Sequence, residues 1–419
     1  LIMVPSGYEN GTLGSLKPLD GTGDFTFTRG SDISATRVNE DGYIEKGYEN
    51  LLLQSNTFSD ADWRKIRTNI AGGQAGYDGT NDAWVLECDE AGQARIEQTI
   101  NISGVNSYSI YAKRKDSNYI RVRTESPVSY ATFNLLLGEV SNQGIVVSSS
   151  IEPLANDWYR CTIVFEGSKS LARVYILEDP LDISSAVIGS SVYIQDAMLN
   201  QGLVAYPYVE TTTAPVAGGI LEDMPRLSGS CPALLLEPQR TNLMYHSEYP
   251  EGNQFFNNLN PDYNATTSPE GIQNATRITA TGTSNHQYGS YPVVSSGVGV
   301  VGSVFVKADA TEYVQLYFGG GPSSGSPYAN FFIGDNPSVE QERDLTASIE
   351  DYGNGWLRLI IKQTTDSSGG MTFAVMPIPN GTTIRAASYT ANGESIFTYG
   401  LQLEQDATYP TSYIPTYGT

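Results

Sequence analysis

Three pairs of side chains stand 194 residues apart in this sequence: Tyr111 with Phe305, Lys113 with Lys307, and Arg123 with Tyr317. Each sits in a stretch that alternates in polarity. Tyr108, Ile110 and Ala112 fall on one side of an extended chain, and Ser109, Tyr111 and Lys113 on the other, since successive strand side chains point to opposite faces. An aromatic ring beside amide and charged groups on an open sheet is a flat apolar platform ringed by hydrogen-bonding partners, which is what a sugar ring needs. The same outward face would also suit packing against a neighbouring subunit, so both readings stand. Trp158 and Trp356 each open a strand, Trp158-Tyr159-Arg160 and Trp356-Leu357-Arg358. An indole buries a large apolar area wherever it packs, in a core or against a ligand.

Two acidic stretches, Asp20-Gly21-Thr22-Gly23-Asp24 and Asn39-Glu40-Asp41-Gly42, could offer calcium the oxygen atoms of Asp20, Asp24, Asn39 and Asp41. Neither has the spacing of a helix-loop-helix calcium site, and both compositions also suit plain turns. No other cofactor is expected. With only His246 and His286 there is no zinc-binding histidine pair, and Gly319-Gly320-Gly321-Pro322-Ser323-Ser324-Gly325 lacks the lysine of a phosphate loop. Three cysteines in 419 residues make no disulfide framework. The 46 acidic residues include no pair that spacing singles out for glycosidic cleavage, so no residue supports catalysis and the chain is expected not to be an enzyme.

The elements that position these residues repeat. Glu45, Asn50-Leu51-Leu52 and Trp63 match Glu237, Asn242-Leu243-Met244 and Phe255; Trp158 matches Trp356, and Tyr208 matches Tyr413. The offset climbs from 192 to 205, as loop insertions in a duplicated unit would make it. Period-two patterning and the turn pairs Asp78-Gly79, Asn354-Gly355, Asn380-Gly381 and Asn392-Gly393 predict short antiparallel strands, and no stretch has the periodicity of a three-turn amphipathic helix. The expected fold is all-β: two tandem homologous antiparallel β-sandwiches of jelly-roll type over 46–212 and 238–419, with an N-terminal extended segment, 1–45, and a connector, 213–237. Lys and Arg number 24 against 46 acidic residues, a net charge of −22, which argues against nucleic acid as a partner because phosphates would be repelled. No run approaches the roughly 20 apolar residues of a membrane helix, so no membrane insertion is expected.

Three phrases go further. Ser34-Ala35-Thr36-Arg37-Val38-Asn39-Glu40-Asp41-Gly42-Tyr43-Ile44-Glu45, then Pro225-Arg226-Leu227 with Cys231-Pro232-Ala233-Leu234-Leu235-Leu236-Glu237-Pro238-Gln239-Arg240-Thr241-Asn242-Leu243, and the ending Gly400-Leu401-Gln402-Leu403-Glu404 with Thr411-Ser412-Tyr413-Ile414-Pro415-Thr416 resemble phrases of tailed-bacteriophage structural proteins. Those are virion surface or fibre proteins carrying domains similar to the jelly rolls of carbohydrate-binding modules. The resemblance implies a structural protein of the virion surface, in a head or tail fibre or decoration, whose sandwiches attach to host surface glycans. Its partners would be other virion proteins of capsid or tail and further copies of itself, a homo-oligomer for which the fibre analogy suggests a trimer. Two rivals stand beside it: a purely architectural virion component, and a polysaccharide-degrading surface enzyme. In shorter relatives the first phrase resembles one that runs almost directly into the second, whereas here a whole unit intervenes. Residues 1–45 and the connector, about 214–242, are therefore expected to pack together as a base, with the first sandwich inserted.

Overall fold

The computed structural model describes residues 5–9, 12–15, 25–26, 36–220, 227–228, 233–234, 237–249 and 254–418. Two compact units form. One is Tyr48–Gly218, and the other joins Leu1–Gly47 to Gly219–Thr419, so the first interrupts the second in sequence.

In the inserted unit twelve strands carry the fold: β1 Arg64–Ile66, β2 Thr68–Gln74, β3 Ala83–Cys88, β4 Arg95–Ile102, β5 Asn106–Arg114, β6 Tyr119–Glu125, β7 Ser129–Asn134, β8 Glu139–Gln143, β9 Ser148–Pro153, β10 Trp158–Phe165, β11 Lys169–Leu177 and β12 Ser191–Gln201. They make two six-stranded antiparallel sheets, ordered β8-β7-β6-β11-β4-β1 and β9-β10-β5-β12-β3-β2. The other unit has β13 Gln254–Asn257, β14 Leu259–Thr266, β15 Ala275–Ala280, β16 Gln287–Ser290, β17 Gly299–Ala308, β18 Tyr313–Gly319, β19 Tyr328–Phe332, β20 Ser338–Arg343, β21 Thr346–Asp351, β22 Leu357–Thr364, β23 Thr372–Pro377 and β24 Ser395–Gln405. Its sheets run β20-β19-β18-β23-β16-β13 and β21-β22-β17-β24-β15-β14. Every position in one sandwich is thus filled in the other by the strand twelve places further on. The fold is all-β as expected, and among the described residues the only helical piece is the single turn Ala155–Asp157.

The inner faces follow the alternation. Tyr108, Ile110 and Ala112 of β5 meet Ile120 and Val122 of β6 and Val174 and Ile176 of β11 in one core. In the other, Val304 and Val306 of β17 meet Val314, Leu316 and Phe318 of β18 and Phe373 and Val375 of β23. Burial of such side chains, at about 25 cal/mol per Å² of apolar surface, is what holds each pair of sheets together. Cys88 and Cys161 are free and buried in the first core, where burial pushes the Cys161 thiol up and leaves it inert.

One irregularity is duplicated. Ser109 pairs with Met198 and Tyr111 with Gln195, so β12 carries an extra residue there; Ser303 with Gln402 and Phe305 with Tyr399 give β24 the same bulge. The bulged backbone is left-handed at Asp196 (φ 50°) and at Gly400 (φ 65°). Glycine takes that conformation without steric cost, whereas Asp196 bears it with a side chain.

A short hairpin, Thr36–Val38 paired with Ile44–Lys46, packs on the second sandwich. Ile44 N–H donates to Pro269 O at 2.8 Å, the Thr36 hydroxyl donates to Tyr413 O, and Lys46 pairs with Glu248 and Glu270.

Candidate functional site

The six residues expected on one glycan-binding face lie on two. Tyr111 and Lys113 are on β5, but Arg123 is on β6 of the facing sheet; Phe305 and Lys307 on β17 and Tyr317 on β18 are divided likewise. All point away from their core, yet in opposite directions. Three of the rings are also covered rather than open. Tyr111 is only 7% exposed, with the Tyr77 ring stacked on it at 4.0 Å and the Arg160 guanidinium 5.4 Å from its centroid. Phe305 is buried against Tyr352, Tyr399 and Tyr413, and Tyr317 lies beneath Arg385 at 4.7 Å. The physical reason is that loops fold back across the outer faces, which strand alternation does not report. Trp158 and Trp356 are both buried anchors.

Lys307 stays half-exposed and lines a pocket of about 240 Å³ with Gly42, Tyr43, Thr267, Ser268, Pro269, Tyr352, Gly353, Asn354 and Trp356. Local structure explains each wall. Residues 353–355 are all left-handed (φ 74°, 53° and 79°), a turn that Gly-Asn-Gly adopts cheaply, and it ends with Tyr352 N–H donating to Trp356 O at 2.9 Å. Trp356 Nε1 donates to Thr267 O at 3.0 Å, so its one polar atom is satisfied and the buried indole backs the cavity. Tyr352 leans edge-on against Phe305, with ring centroids 4.8 Å apart. Burial pushes its hydroxyl pKa up, partly offset by Arg358, so it is a neutral donor.

The fourth wall comes from the hairpin tip. Asn39 Oδ1 accepts the N–H groups of Asp41 (3.0 Å) and Tyr43 (2.9 Å), and Gly42 takes φ 86°. This turn sets the Tyr43 ring against Gly271. The acidic stretch expected to hold calcium through Asn39 and Asp41 is therefore a side-chain-closed turn: its amide oxygen is committed to backbone, and Asp41 is exposed. Among the described residues no cluster of metal-ligating side chains forms. Asp20 and Asp24 lie outside the described residues, as does Cys231.

Arg123 belongs to a different constellation on the outer face of β4, β11 and β6. In register across the sheet run Arg64, Glu97, Arg173, Arg123 and Tyr130. Glu97 accepts a hydrogen bond from Arg95 Nε (2.9 Å) and forms ion pairs with Arg173 (2.7 Å) and Arg64 (3.3 Å), while Glu125 takes Arg123 (2.7 Å) and Arg173. Burial alone would raise the Glu97 pKa, but the Arg95 hydrogen bond and the three guanidinium charges outweigh it and hold it below the usual carboxylate range. Arg121 stacks over Tyr130 at 4.4 Å. Beside this ladder runs a groove of about 440 Å³, with Arg64 (side chain 71% exposed) on its rim.

Fold and site together define a protein of two tandem β-sandwiches with a small aromatic pocket on the second. No family model matches the chain, and no curated protein matches it. Among solved structures it is similar to the N-terminal CBM22-1-CBM22-2 tandem domain of Xyn10C from Paenibacillus barcinonensis, at 9% identity and TM-score 0.26, with 90% of this chain and 99% of that one covered. It is also similar to the tandem CBM51 modules of Sp3GH98, a family 98 glycoside hydrolase from Streptococcus pneumoniae, at 9% identity and TM-score 0.21, covering 89% and 97%. With scores this low, the site has to be read from this chain's own residues.

Proposed function

We infer that the chain is a non-catalytic glycan-binding protein displayed on the surface of a tailed-bacteriophage virion, and that the pocket of the second sandwich holds a sugar residue of the host surface. The observation that carries the glycan reading is the pocket itself. It has aromatic walls in Tyr43 and Tyr352 over the buried Trp356, with Lys307 and Asn354 among its lining as hydrogen-bonding residues. At about 240 Å³ it falls below the roughly 300–1,000 Å³ of pockets for drug-sized ligands, a size for one terminal ring rather than a chain. No Asp or Glu is among the lining residues, so the pocket offers no carboxyl pair to cleave a glycosidic bond, which favours binding over hydrolysis. The virion setting is supported by the resemblance of the three phrases to those of phage structural proteins, and copies on one particle would gain avidity from weak single sites.

The test is a glycan array probed with the full chain, followed by titration of any hit against Tyr352→Ala and Lys307→Ala. Weaker binding in both variants, each still folded by circular dichroism, supports the pocket. Affinity unchanged in both removes the pocket from the reading, and no binding to any host-surface glycan favours the architectural alternative. Reducing-sugar release from host polysaccharide would restore the enzymatic one.

A further inference from the structure

Asn-Gly pairs begin at Asn10, Asn354, Asn380 and Asn392, and the fold treats the three that lie among the described residues differently. A glycine after an asparagine leaves its backbone nitrogen unshielded, since no Cβ hinders approach to the side-chain carbonyl carbon one residue back. Closure then depends on what holds the two groups apart and on the charge around them.

At Asn380 the pair is tied down. Its Oδ1 accepts the Thr382 N–H (3.1 Å) and hydroxyl (2.8 Å), and Gly381 O accepts Asn330 Nδ2 at 2.8 Å. At Asn392 a carboxylate sits against the pair, with Glu394 Oε2 accepting the Asn392 N–H at 2.7 Å. It opposes the negative charge that nitrogen attack places on the side-chain oxygen. Asn354 meets neither obstacle. Gly353, Asn354 and Gly355 are exposed, and no hydrogen bond ties the Asn354 side chain or the Gly355 N–H to a described residue. The Asp351 carboxylate nearby is engaged by the Gly353 N–H at 2.8 Å. Lys307 packs on the glycine itself: a Cβ there would stand 3.4 Å from Lys307 Cε, the carbon that carries the ammonium. Positive charge is thus held beside the atoms where negative charge develops.

We propose that Asn354-Gly355 is a self-modifying turn, which converts to aspartyl and isoaspartyl forms with Lys307 as the positioning residue. The Gly355 nitrogen attacks Cγ of Asn354; the N–Cγ bond forms, the Cγ–Nδ2 bond breaks, and Nδ2 leaves as ammonia with its own two protons and the Gly355 amide proton. Water then opens the five-membered imide, its hydroxyl going to a carbonyl carbon and its other proton to the nitrogen. Breaking N–Cγ gives aspartate; breaking the bond to the main-chain carbonyl carbon gives isoaspartate. No oxidant or reductant is needed. A neutral amide in the pocket lining becomes a carboxylate beside Lys307, and the isoaspartyl form lengthens by one methylene the backbone that carries Tyr352 and Trp356. An ammonium paired within the turn is lost to a ligand. This consequence for binding rests on the glycan reading of the pocket, and the chemistry does not.

The full chain, aged in mildly alkaline buffer at physiological temperature and mapped by peptide mass spectrometry, tests both parts. The peptide bearing Asn354 should gain about 1 Da, with isoaspartate as the larger product, well ahead of those bearing Asn380 and Asn392. Asn354→Gln should abolish that gain, because its longer side chain would have to close a larger ring. Lys307→Ala should slow it severalfold and leave the other two pairs unchanged. In denaturant the three pairs should converge. Conversion of Asn354 no faster than at the other two, or an order that persists in denaturant, overturns the proposal, and an unchanged rate in Lys307→Ala overturns the part given to the lysine. Converted chain, separated by ion exchange, should bind an array hit about fivefold more weakly than unconverted chain, the loss of one charge-assisted hydrogen bond. If no glycan binds either form, the pocket reading falls and the mass result still decides the modification.

Discussion

The same sheet face is built from opposite materials in the two sandwiches. Arg64, Glu97, Arg173, Arg123 and Tyr130 in the first occupy the register positions of Phe255, Gly289, Ala374, Tyr317 and Tyr328 in the second. Where the first pairs its charges with one another in a largely buried ladder, the second covers its aromatics with a loop. Asn330 Nδ2 donates to Gly381 O (2.8 Å) and Thr383 O (2.7 Å), Ala386 N–H donates to Gln315 Oε1 (2.6 Å), and Arg385 lies over Tyr317. Gly289 is part of that economy, since a side chain there would collide with the Phe373 carbonyl. A duplicated β-sandwich therefore constrains its two inner faces, while each outer face is free to be solved as a mutually paired ion ladder or as a second, loop-covered core.

The largest break in this comparison should come from Glu97→Ala. Arg173 and Arg95 lose a buried partner, and we expect the inserted unit to be destabilised by about 3 kcal/mol, short of the full penalty for a deeply buried pair because Arg64 stays in water. The urea midpoint of that unit reads it out. The low Glu97 pKa adds a sign: its contribution is complete above the unfolded value of 4.5 and disappears as pH falls through the lower folded value, so wild type and variant should converge in acid. A constant difference down to strongly acidic pH would show that the ladder is not held by charge.

Next in size is the bulge. Burial raises the Asp196 pKa from 3.8 to about 7, opposed by the Tyr77 hydroxyl at 2.9 Å and reinforced by Asp82, Asp78 and Glu210. The folded state holds this proton between about pH 4 and 7 while the unfolded chain does not, so the group costs stability as pH rises through that window. Gly400, its counterpart, carries no such carboxyl. Asp196→Asn should raise the stability of the inserted unit by about 2 kcal/mol at pH 8 and leave it unchanged at pH 4. Thermal melts at the two pH values decide it, and an equal effect at both would assign the gain to backbone relief.

These features differ in how far the residues announce them. The inner faces were legible because Tyr108, Ile110 and Ala112, and their counterparts Val304 and Val306, alternate strictly with polar neighbours, and burial repeats that alternation. The shared order Glu45 to Tyr208 and Glu237 to Tyr413 likewise showed the duplication before any strand was placed. What covers the outer faces was not legible. Tyr77 reaches Tyr111, and Arg385 reaches Tyr317, from loops with no periodicity, across 34 and 68 residues. Tyr43 is the same case with a usable signal: an Asn-x-Asp-Gly turn followed by an aromatic says that something is being presented, though not against what. The acidic residues of that turn drew attention to calcium, when the turn's product was the ring after it.

A smaller effect is expected from Arg385→Ala in the second unit. It removes the cation above Tyr317 and a donor to Phe318 O at 2.7 Å, worth about 1–2 kcal/mol together, and uncovers the aromatic row. Stability should fall by that amount while glycan affinity stays the same, as measured by denaturation and titration side by side. A gain in affinity would mean that the covered face, not the pocket, is the sugar platform.

The finest comparison is between Lys113 and Lys307, which stand at equivalent ends of β5 and β17, each beside a tryptophan and a left-handed turn. Around Lys307 the turn carries Tyr352 and the hairpin supplies Tyr43, so the lysine lines a cavity with aromatic neighbours. Around Lys113 the corresponding turn offers Leu154 in place of the tyrosine, and Tyr77 is spent on Tyr111. Both lysines are partly exposed, so Lys→Ala at either should shift stability by less than about 0.5 kcal/mol. Affinity should separate them: Lys307→Ala is expected to weaken a bound glycan by roughly five- to tenfold, the loss of one charge-assisted hydrogen bond, while Lys113→Ala leaves it unchanged. Equal losses would mean that the two sandwiches bind alike through their shared strand ends, and that the walls contributed by Tyr43 and Tyr352 are not what makes the second one a site.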